Sequence, residues 1–484
     1  MAGPIMISGG GHVPWRHKLI PRTVIYPYAL VTSLFFLWGF AYGLLDVLNK
    51  HFQNSLDISK LQSTGLQVAY FGAGYFACSP IAGEILRRQG YKFTIILGLA
   101  IFSIGAILFW PCAKFAHETN KNAVFGGFVA LTAVVGGGLA VVEVPAISYI
   151  VCLPGAEPSG AAFRLQLSQS INGIGAFSGP FIASKYFFSG KNVNSLTNVQ
   201  WVYLAVALAG TFIAFLFVIS QLPEISETEL EAQVRTAAEL GGLNTRTEQP
   251  FYKQYRVFLG FLAQFMTIGA QVSMASLFIN YAGETVGWPD SKNSKFLSYA
   301  LVMFTVGRFV GLIILTIWPA ELLVGVCATL CFVFITCTAF LHGTAALACL
   351  MTTMFLQAPL FPCMFVISTK NMGRHSQRAA ALLMSAVGGA AVFPPSQGAI
   401  ATHYGTHVSY ALHMPSYFYI ACFAFFIWVR HGAHFNLRDE PWSKVEPALE
   451  AASKTPAGLH GTDANDSEDR GEKFDDRYDD KERI

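Results

Sequence analysis

Long apolar blocks separated by short polar breaks run through most of this chain. A helix needs about 20 mostly apolar residues to cross a bilayer core. Twelve blocks meet that length, at roughly 25–48, 64–86, 92–112, 123–152, 163–188 and 200–221, then 255–281, 295–318, 320–341, 344–368, 378–402 and 411–431. The pattern predicts an all-α integral membrane protein with twelve transmembrane helices. Residues 222–254 interrupt it with Glu224, Glu227, Glu229, Glu231, Glu239, Arg235 and Arg246. This stretch is expected to be a cytoplasmic linker with one short surface helix. It divides a six-helix half (25–221) from a second (255–431).

The two halves echo one another. Pro145 and Ser159 in the first recur as Pro362 and Ser376 in the second, both 217 residues later. Gly-rich runs follow at NGIGAFSGP (172–180) and VGGAAVFPP (387–395). Repeated halves place a binding site at their interface.

The ends differ from the middle. Residues 1–24 are short and basic, with no cleavable apolar core, so the first helix is expected to serve as an uncleaved signal. From Gly432 onward the chain holds 14 acidic and 8 basic residues and ends DDRYDDKERI. Low apolarity with high charge predicts a disordered, solvated tail over 432–484, with partner binding as the competing role.

Composition agrees with lipid as solvent. The 484 residues are 53% hydrophobic and 13% charged, about half the charge of a soluble domain. The net charge of +3 points to no nucleic-acid partner. Nine cysteines show no CxxC or Cys/His spacing, so no metal site or disulfide framework is expected. GAGYFA (72–77) fits a loose dinucleotide fingerprint but lies inside a spanning block, with no strand before it. Its small residues suit close helix packing. No Walker A loop, HExxH or GxSxG occurs, so no enzyme and no cofactor is expected. Arg87, Arg88 and Lys92, and then Lys370, Arg374 and Arg378, fall in short breaks on the same side as the N-terminus. The positive-inside rule makes that side, and both termini, cytoplasmic.

Charges inside spans are expensive and usually functional. Glu143, in GGGLAVVEVPA, is about a dozen residues from either boundary. A carboxyl there carries a proton in its neutral form and releases it when water enters. Na⁺ coupling would use the same acid with nearby carbonyls. Asp46, in FAYGLLDVLNK, lies late in the first helix, where an interfacial role competes. Neither acid has an acidic counterpart in the second half. Arg308, in VGRFVG, either lines a pathway or snorkels to the interface. Gln169, Asn172, Gln264, Gln271, Asn280 and Gln357 are neutral polar residues in spans. They suit a ligand rich in hydroxyls, or serve as interhelical glue. Trp38, Tyr42, Phe278, Tyr281 and Phe361 are candidates to stack on a sugar ring, with core packing as the alternative.

Several segments carry a family resemblance: SLFFLWGFAYGLLDVLNKHFQ (33–53), AGEILRRQGYKFTIILG (82–98), GGGLAVVEVPA (136–146), FRLQLSQSINGIGA (163–176), VGRFVG (306–311) and FPCMFVISTKNMG (361–373). Over residues 27–431 the chain resembles the major facilitator superfamily, and within it the fucose–galactose–glucose:proton symporter branch. The resemblance implies the major facilitator fold and a monosaccharide moved with a proton by alternating access. It implies proton coupling or sugar binding at Asp46 and Glu143. Gln169, Asn172 and Arg308 would face the central cavity, with Gln271, Trp38, Tyr42 and Phe361 also against substrate. Departures from the branch pattern stand at Gly43 and Ile147–Ser148, where bacterial members carry Asn and Asn-Pro, and at Phe361, where a cavity Tyr is usual. A site with fewer donors fits a less hydroxylated ligand. The rival readings are an exporter of a less polar metabolite and a non-transporting nutrient receptor. A plasma-membrane monomer is expected.

A protease added to intact, right-side-out cells should leave a C-terminal tag uncut. Cleavage without permeabilisation would overturn the orientation.

Overall fold

The computed structural model describes residues 20, 24–56, 65–114, 121–153, 160–182, 197–224, 250–370 and 372–436. The N-terminal segment, most of the linker with its expected surface helix, and the acidic tail lie outside the described residues.

Helix dominates, with no strand among the described residues. The first half comprises α1 (Ile25–Leu56), α2 (residues 65–89), α3 (residues 91–114), α4 (Lys121–Val151), α5 (Ala161–Ile182) and α6 (Thr197–Ile219). The second comprises α7 (residues 255–286), α8 (Asp290–Ile314), α9 (Ala320–Phe340), α10 (residues 343–369), α11 (residues 376–404) and α12 (residues 406–430). Nine described stretches are long and apolar enough to cross a membrane. One of them, Gly65–Cys112, is the α2–α3 pair. The polar face of α5 and the shorter described apolar length of α6, Tyr203–Ile219, keep those two below that measure.

The expected breaks exist, with physical causes. Helix runs through Gly65–Lys114 except at Gly90, whose φ of 82° and ψ of 178° no L side chain adopts easily. The Lys92 backbone N–H donates to Glu224 Oε1 at 2.8 Å just past this break. Lys92 Nζ reaches the Val218 and Ser220 carbonyls at 3.0 and 2.9 Å, satisfying the open end of α6. The basic α2–α3 break is therefore a structural splice as well as a charge signal. Five rods depart from the sequence expectation, the second through a π-helical turn at Ala69–Phe76. The first extends to Leu56 rather than 48. The seventh continues to Val286 after a break at Leu277. The tenth breaks between Leu356 and Leu360, where Pro359 removes a backbone donor. The eleventh tightens to a 3₁₀ turn at Ala386–Gly388.

Within the first half, α4 is sandwiched by α2 and α3, and α1 lies along α5. Glycine makes these approaches possible. A Cβ on Gly136 would stand 2.7 Å from the Tyr70 carbonyl oxygen, and one on Gly138 2.5 Å from the Phe102 nitrogen. Gly74 of the GAGYFA run faces the Gly136 and Gly137 backbone, so that motif is a packing device. Outward positions such as Leu208, Phe212, Phe215 and Ile313 are all more than half exposed, as lipid-facing residues must be.

The halves meet along two seams. In one, α11 lies against α2, α3 and α4; in the other, α8 and α10 lie against α5. Gly83 approaches the Ala381 methyl, and a Cβ on Gly72 would meet the Ala391 Cβ at 3.5 Å. Residues 24, 219, 255 and 430 share one end of the bundle, called here the terminal face; the other is the distal face.

Gly136→Val should cost about 1–3 kcal/mol by overpacking and lower the melting temperature in detergent. Gly126→Ala, whose Cβ meets nothing within 4 Å, should stay within about 0.5 kcal/mol of the parent. Equal melting curves for the two would refute the packing account.

Candidate functional site

Gln166, Gln169 and Asn172 recur every three residues on α5, a spacing that puts them on one helical face. All three are buried at 0%, 0% and 6% exposure, and the face looks across the seam at α8. Gln166 Nε2 donates to the Arg308 carbonyl at 2.8 Å. In the other direction Arg308 Nη1 donates to the Gln169 carbonyl and, at 3.0 Å, to Asn172 Oδ1. Asn172 Nδ2 donates to the Phe35 carbonyl of α1 at 3.1 Å. Three side chains from two halves thus clasp one another, and Gly173 leaves room for the guanidinium, which a Cβ there would meet at 3.5 Å.

Arg308 is 5% exposed and does not snorkel. It lies 4.8 Å over the Phe304 ring, and no carboxylate pairs with it among the described residues. Its Nε has no acceptor among the described residues. Gln169 Oε1 and Nε2 and Gln166 Oε1 are likewise buried without partners among them. Such groups ordinarily find a bond, because leaving one dry costs about 1–3 kcal/mol.

The second half adds further open groups. Gln264 Nε2 donates to the Phe361 carbonyl at 3.3 Å, while its Oε1 stays unpaired. Tyr417 donates to Gln357 Oε1 at 2.8 Å, leaving Gln357 Nε2 open where α10 breaks. Phe361 is 3% exposed, two residues after Pro359, whose ring flanks Gly311 of α8 beside Gln166. Gln271 is half-buried on α7. Phe278 and Tyr281 are fully buried, and Tyr281 bonds the Thr338 carbonyl at 2.8 Å; they belong to the core of the second half. Asn280 is exposed near the distal end of α7.

Glu143 is 4% exposed in α4, and neither carboxyl oxygen has a hydrogen-bond partner among the described residues. Tyr75 of α2 directs its hydroxyl toward it. Trp38 meets Phe35 edge-on at 6.5 Å, and Tyr42 tilts against Phe71 at 5.9 Å. Both are half-buried on α1. Asp46 belongs to helical α1, ten residues before its end, and its side chain lies outside the description. Gln169, Asn172 and Arg308 are thus brought together, and Trp38 borders them through Phe35.

Sequence reasoning passed over Gln166, although its three-residue spacing to Gln169 was the available signal. It also passed over Tyr75, for which the linear pattern held no signal.

Comparison with known proteins fits this geometry. The family model described as Major Facilitator Superfamily matches residues 31–393. The glucose/galactose transporter of Brucella abortus is 28% identical over 404 residues, covering 82% of this chain and 93% of the relative. The L-fucose-proton symporter of Haemophilus influenzae is 27% identical, covering 79% and 90%. The crystal structure of the transporter FucP in the outward conformation superposes with a TM-score of 0.71 at 24% identity, covering 84% of this chain and 99% of that one. With its helical rods in two packed halves, the same fold as FucP and a family match over most of its length, the chain belongs to the Major Facilitator Superfamily.

Proposed function

We propose that the chain is a secondary active transporter that carries a monosaccharide together with a proton by alternating access. The observation that carries this reading is a set of buried polar atoms without partners among the described residues: Gln169 Oε1 and Nε2, Gln166 Oε1 and Arg308 Nε at the seam, and Gln264 Oε1 and Gln357 Nε2 inside the second half. A hydroxyl both donates and accepts, so a polyol can answer amides and a guanidinium alike. Relatives named for glucose/galactose and for L-fucose with a proton support the same ligand class.

Arg308 and Gln169 are assigned to sugar hydroxyls. Asn172 holds the guanidinium in place, since its own amide is spent on Phe35. Gln271, Trp38, Tyr42 and Phe361 are assigned to the walls. Glu143 is the coupling acid, with Asp46 sharing the proton or the sugar. A carboxyl with no cation beside it is most cheaply held in hydrocarbon as the neutral acid, so it loads a proton before the halves rock and releases it once water arrives. One proton moving down 100 mV supplies about 2.3 kcal/mol, enough for a sugar ratio on the order of fiftyfold. We assign the protein to the plasma membrane, as a functional monomer with cytoplasmic termini. The halves divide at the linker, 222–254, and the acidic tail from 432 is dispensable for flux.

Proteoliposomes offered D-glucose, D-galactose and L-fucose, with and without an acid exterior, test substrate and coupling together. At least one hexose should accumulate only with the pH gradient. Glu143→Gln should still exchange that sugar and should lose accumulation; gradient-driven accumulation by this variant would refute the coupling role. Arg308→Lys keeps a charge but loses the planar fork, and should raise the half-saturating sugar concentration about tenfold, or about 1.4 kcal/mol.

A further inference from the structure

A guanidinium carries five N–H donors, one on Nε and two on each Nη. Arg308 uses those on Nη1, one for the Gln169 carbonyl and one for Asn172 Oδ1. Nε has no acceptor among the described residues, and Nη2 makes no hydrogen bond among them. Nη1 is the nitrogen on the Cδ side of the fork. The edge left open is therefore the one formed by Nε and Nη2. The two N–H bonds of that edge run parallel and match the two oxygens of one carboxylate. What stands open is a shaped pair of donors rather than a scatter of polar atoms.

The charge is open as well. Arg308 is 5% exposed, and a buried charge ordinarily has a counter-charge. Gln166, Gln169 and Asn172 are neutral, and no acid acts on the guanidinium among the described residues. Phe304, at 4.8 Å, attracts a cation but offers no oxygen pair. Asp46 belongs to another level of the bundle. Gly39 of α1 abuts the Asn172 backbone, and Asp46 follows seven residues later, about 10 Å further along the helix axis. Glu143 stands on α4, and Arg308 is not among the groups that act on it.

The neighbours of the open edge complete the chemistry. Gln169 Oε1 and Nε2 and Gln166 Oε1, on the same face of α5, are without partners among the described residues. Amide groups suit hydroxyls, which donate and accept. A neutral hexose could bond the edge but would leave the guanidinium without a counter-charge. A phosphate monoester carries close to two negative charges, and one guanidinium would leave the second unmet. Hydroxyls with one carboxylate answer every open group at the clasp.

We propose that the ligand of this site is a sugar acid, a monosaccharide whose carboxylate takes the Nε–Nη2 edge of Arg308 side-on while its ring hydroxyls take Gln169 and Gln166. The inference rests on the transporter reading and narrows its ligand to hexuronates and similar monoanions. It sets this chain apart from relatives named for glucose, galactose and L-fucose. The clasp itself is unchanged by binding, because Nη1 keeps both of its bonds.

Proteoliposomes with an exterior at about pH 6, where a carboxylic acid is still ionised, test this on the unmodified protein. D-galacturonate and D-glucuronate are compared with their uncharged methyl esters and with D-galactose and D-glucose, as substrates and as competitors. At least one uronate should half-saturate uptake at a concentration tenfold or more below that of its ester and of its parent hexose. Arg308→Gln should bring acid, ester and hexose within about threefold of one another, and Arg308→Lys, with a charge but no such edge, should fall between. The comparison of acid with ester carries the test if neither variant folds. If a hexose accumulates while neither uronate is transported or competes, or if acid and ester behave alike, the sugar-acid inference is wrong and the transporter reading stands. If neither acids nor hexoses cross the membrane under any gradient, the transporter reading fails and the inference with it.

Discussion

Hydrocarbon cannot hydrogen-bond, so every polar group that enters it must be satisfied by the protein or left at a cost. That constraint orders the rest of this structure. It makes the backbone helical wherever the chain crosses. It sends Lys92 to the open carbonyls of α6 and draws threonine and serine hydroxyls back onto their own helices, as Thr267 does on Ala263 at 2.8 Å. It also makes the exceptions meaningful. Where a protein under this constraint keeps buried amides, a guanidinium and a carboxyl without partners, the missing partners are the clearest trace of a ligand.

The α5–α8 clasp shows how such groups are held ready. Arg308 is fixed by a backbone carbonyl and by Asn172, and its own carbonyl is fixed by Gln166. None of these bonds neutralises the charge. A carboxylate partner would have satisfied the cation outright. Neutral partners orient the fork and leave the charge available. They also join the two halves through shared atoms.

Much of this was legible in the linear pattern because lipid imposes a simple one. Apolar runs of helical length gave the rods, and Glu143 stood out because acids rarely survive in such runs. Gln169, Asn172 and Arg308 were recognisable as polar residues in spans, and the structure brings them together. What escaped has common physical causes. Periodicity assumes 3.6 residues per turn, so a π turn at Ala69–Phe76 re-aims Tyr70 and Tyr75 in a way no α-helical projection foresees. Helix that runs on past the apolar block, such as the extension of α1 to Leu56, is invisible to hydropathy. Long-range networks are invisible too: His413 of α12, fully buried, bonds Gln397 of α11 at 3.1 Å, and Gln397 also accepts from Ser273 of α7.

That last network exposes a difference between the halves. In the second half the buried polar groups largely serve one another. Tyr281, Tyr410 and Tyr417 each spend their hydroxyl on a neighbouring rod, at 2.8, 3.1 and 2.8 Å. These bonds lock α7 to α9 and α12, and α12 to α10, and leave a stiff scaffold with a few amides projecting from it. In the first half side-chain bonds also join the rods, as Tyr28 does to the Arg164 carbonyl at 2.8 Å, but the central acid has no partner among the described residues and the rods beside it meet through glycine, Gly74 against Gly136. Backbone-to-backbone glycine packing holds helices close without pinning a polar network, so a carboxyl there can change its protonation without dismantling what surrounds it. A titrating group built into the bonded half would have to break its neighbours' bonds each time it gained or lost a proton. The two halves thus differ at their centres: the acid buried in the first has no counterpart in the second, whose central amides Gln264 and Gln357 are each held on one side by a neighbouring rod.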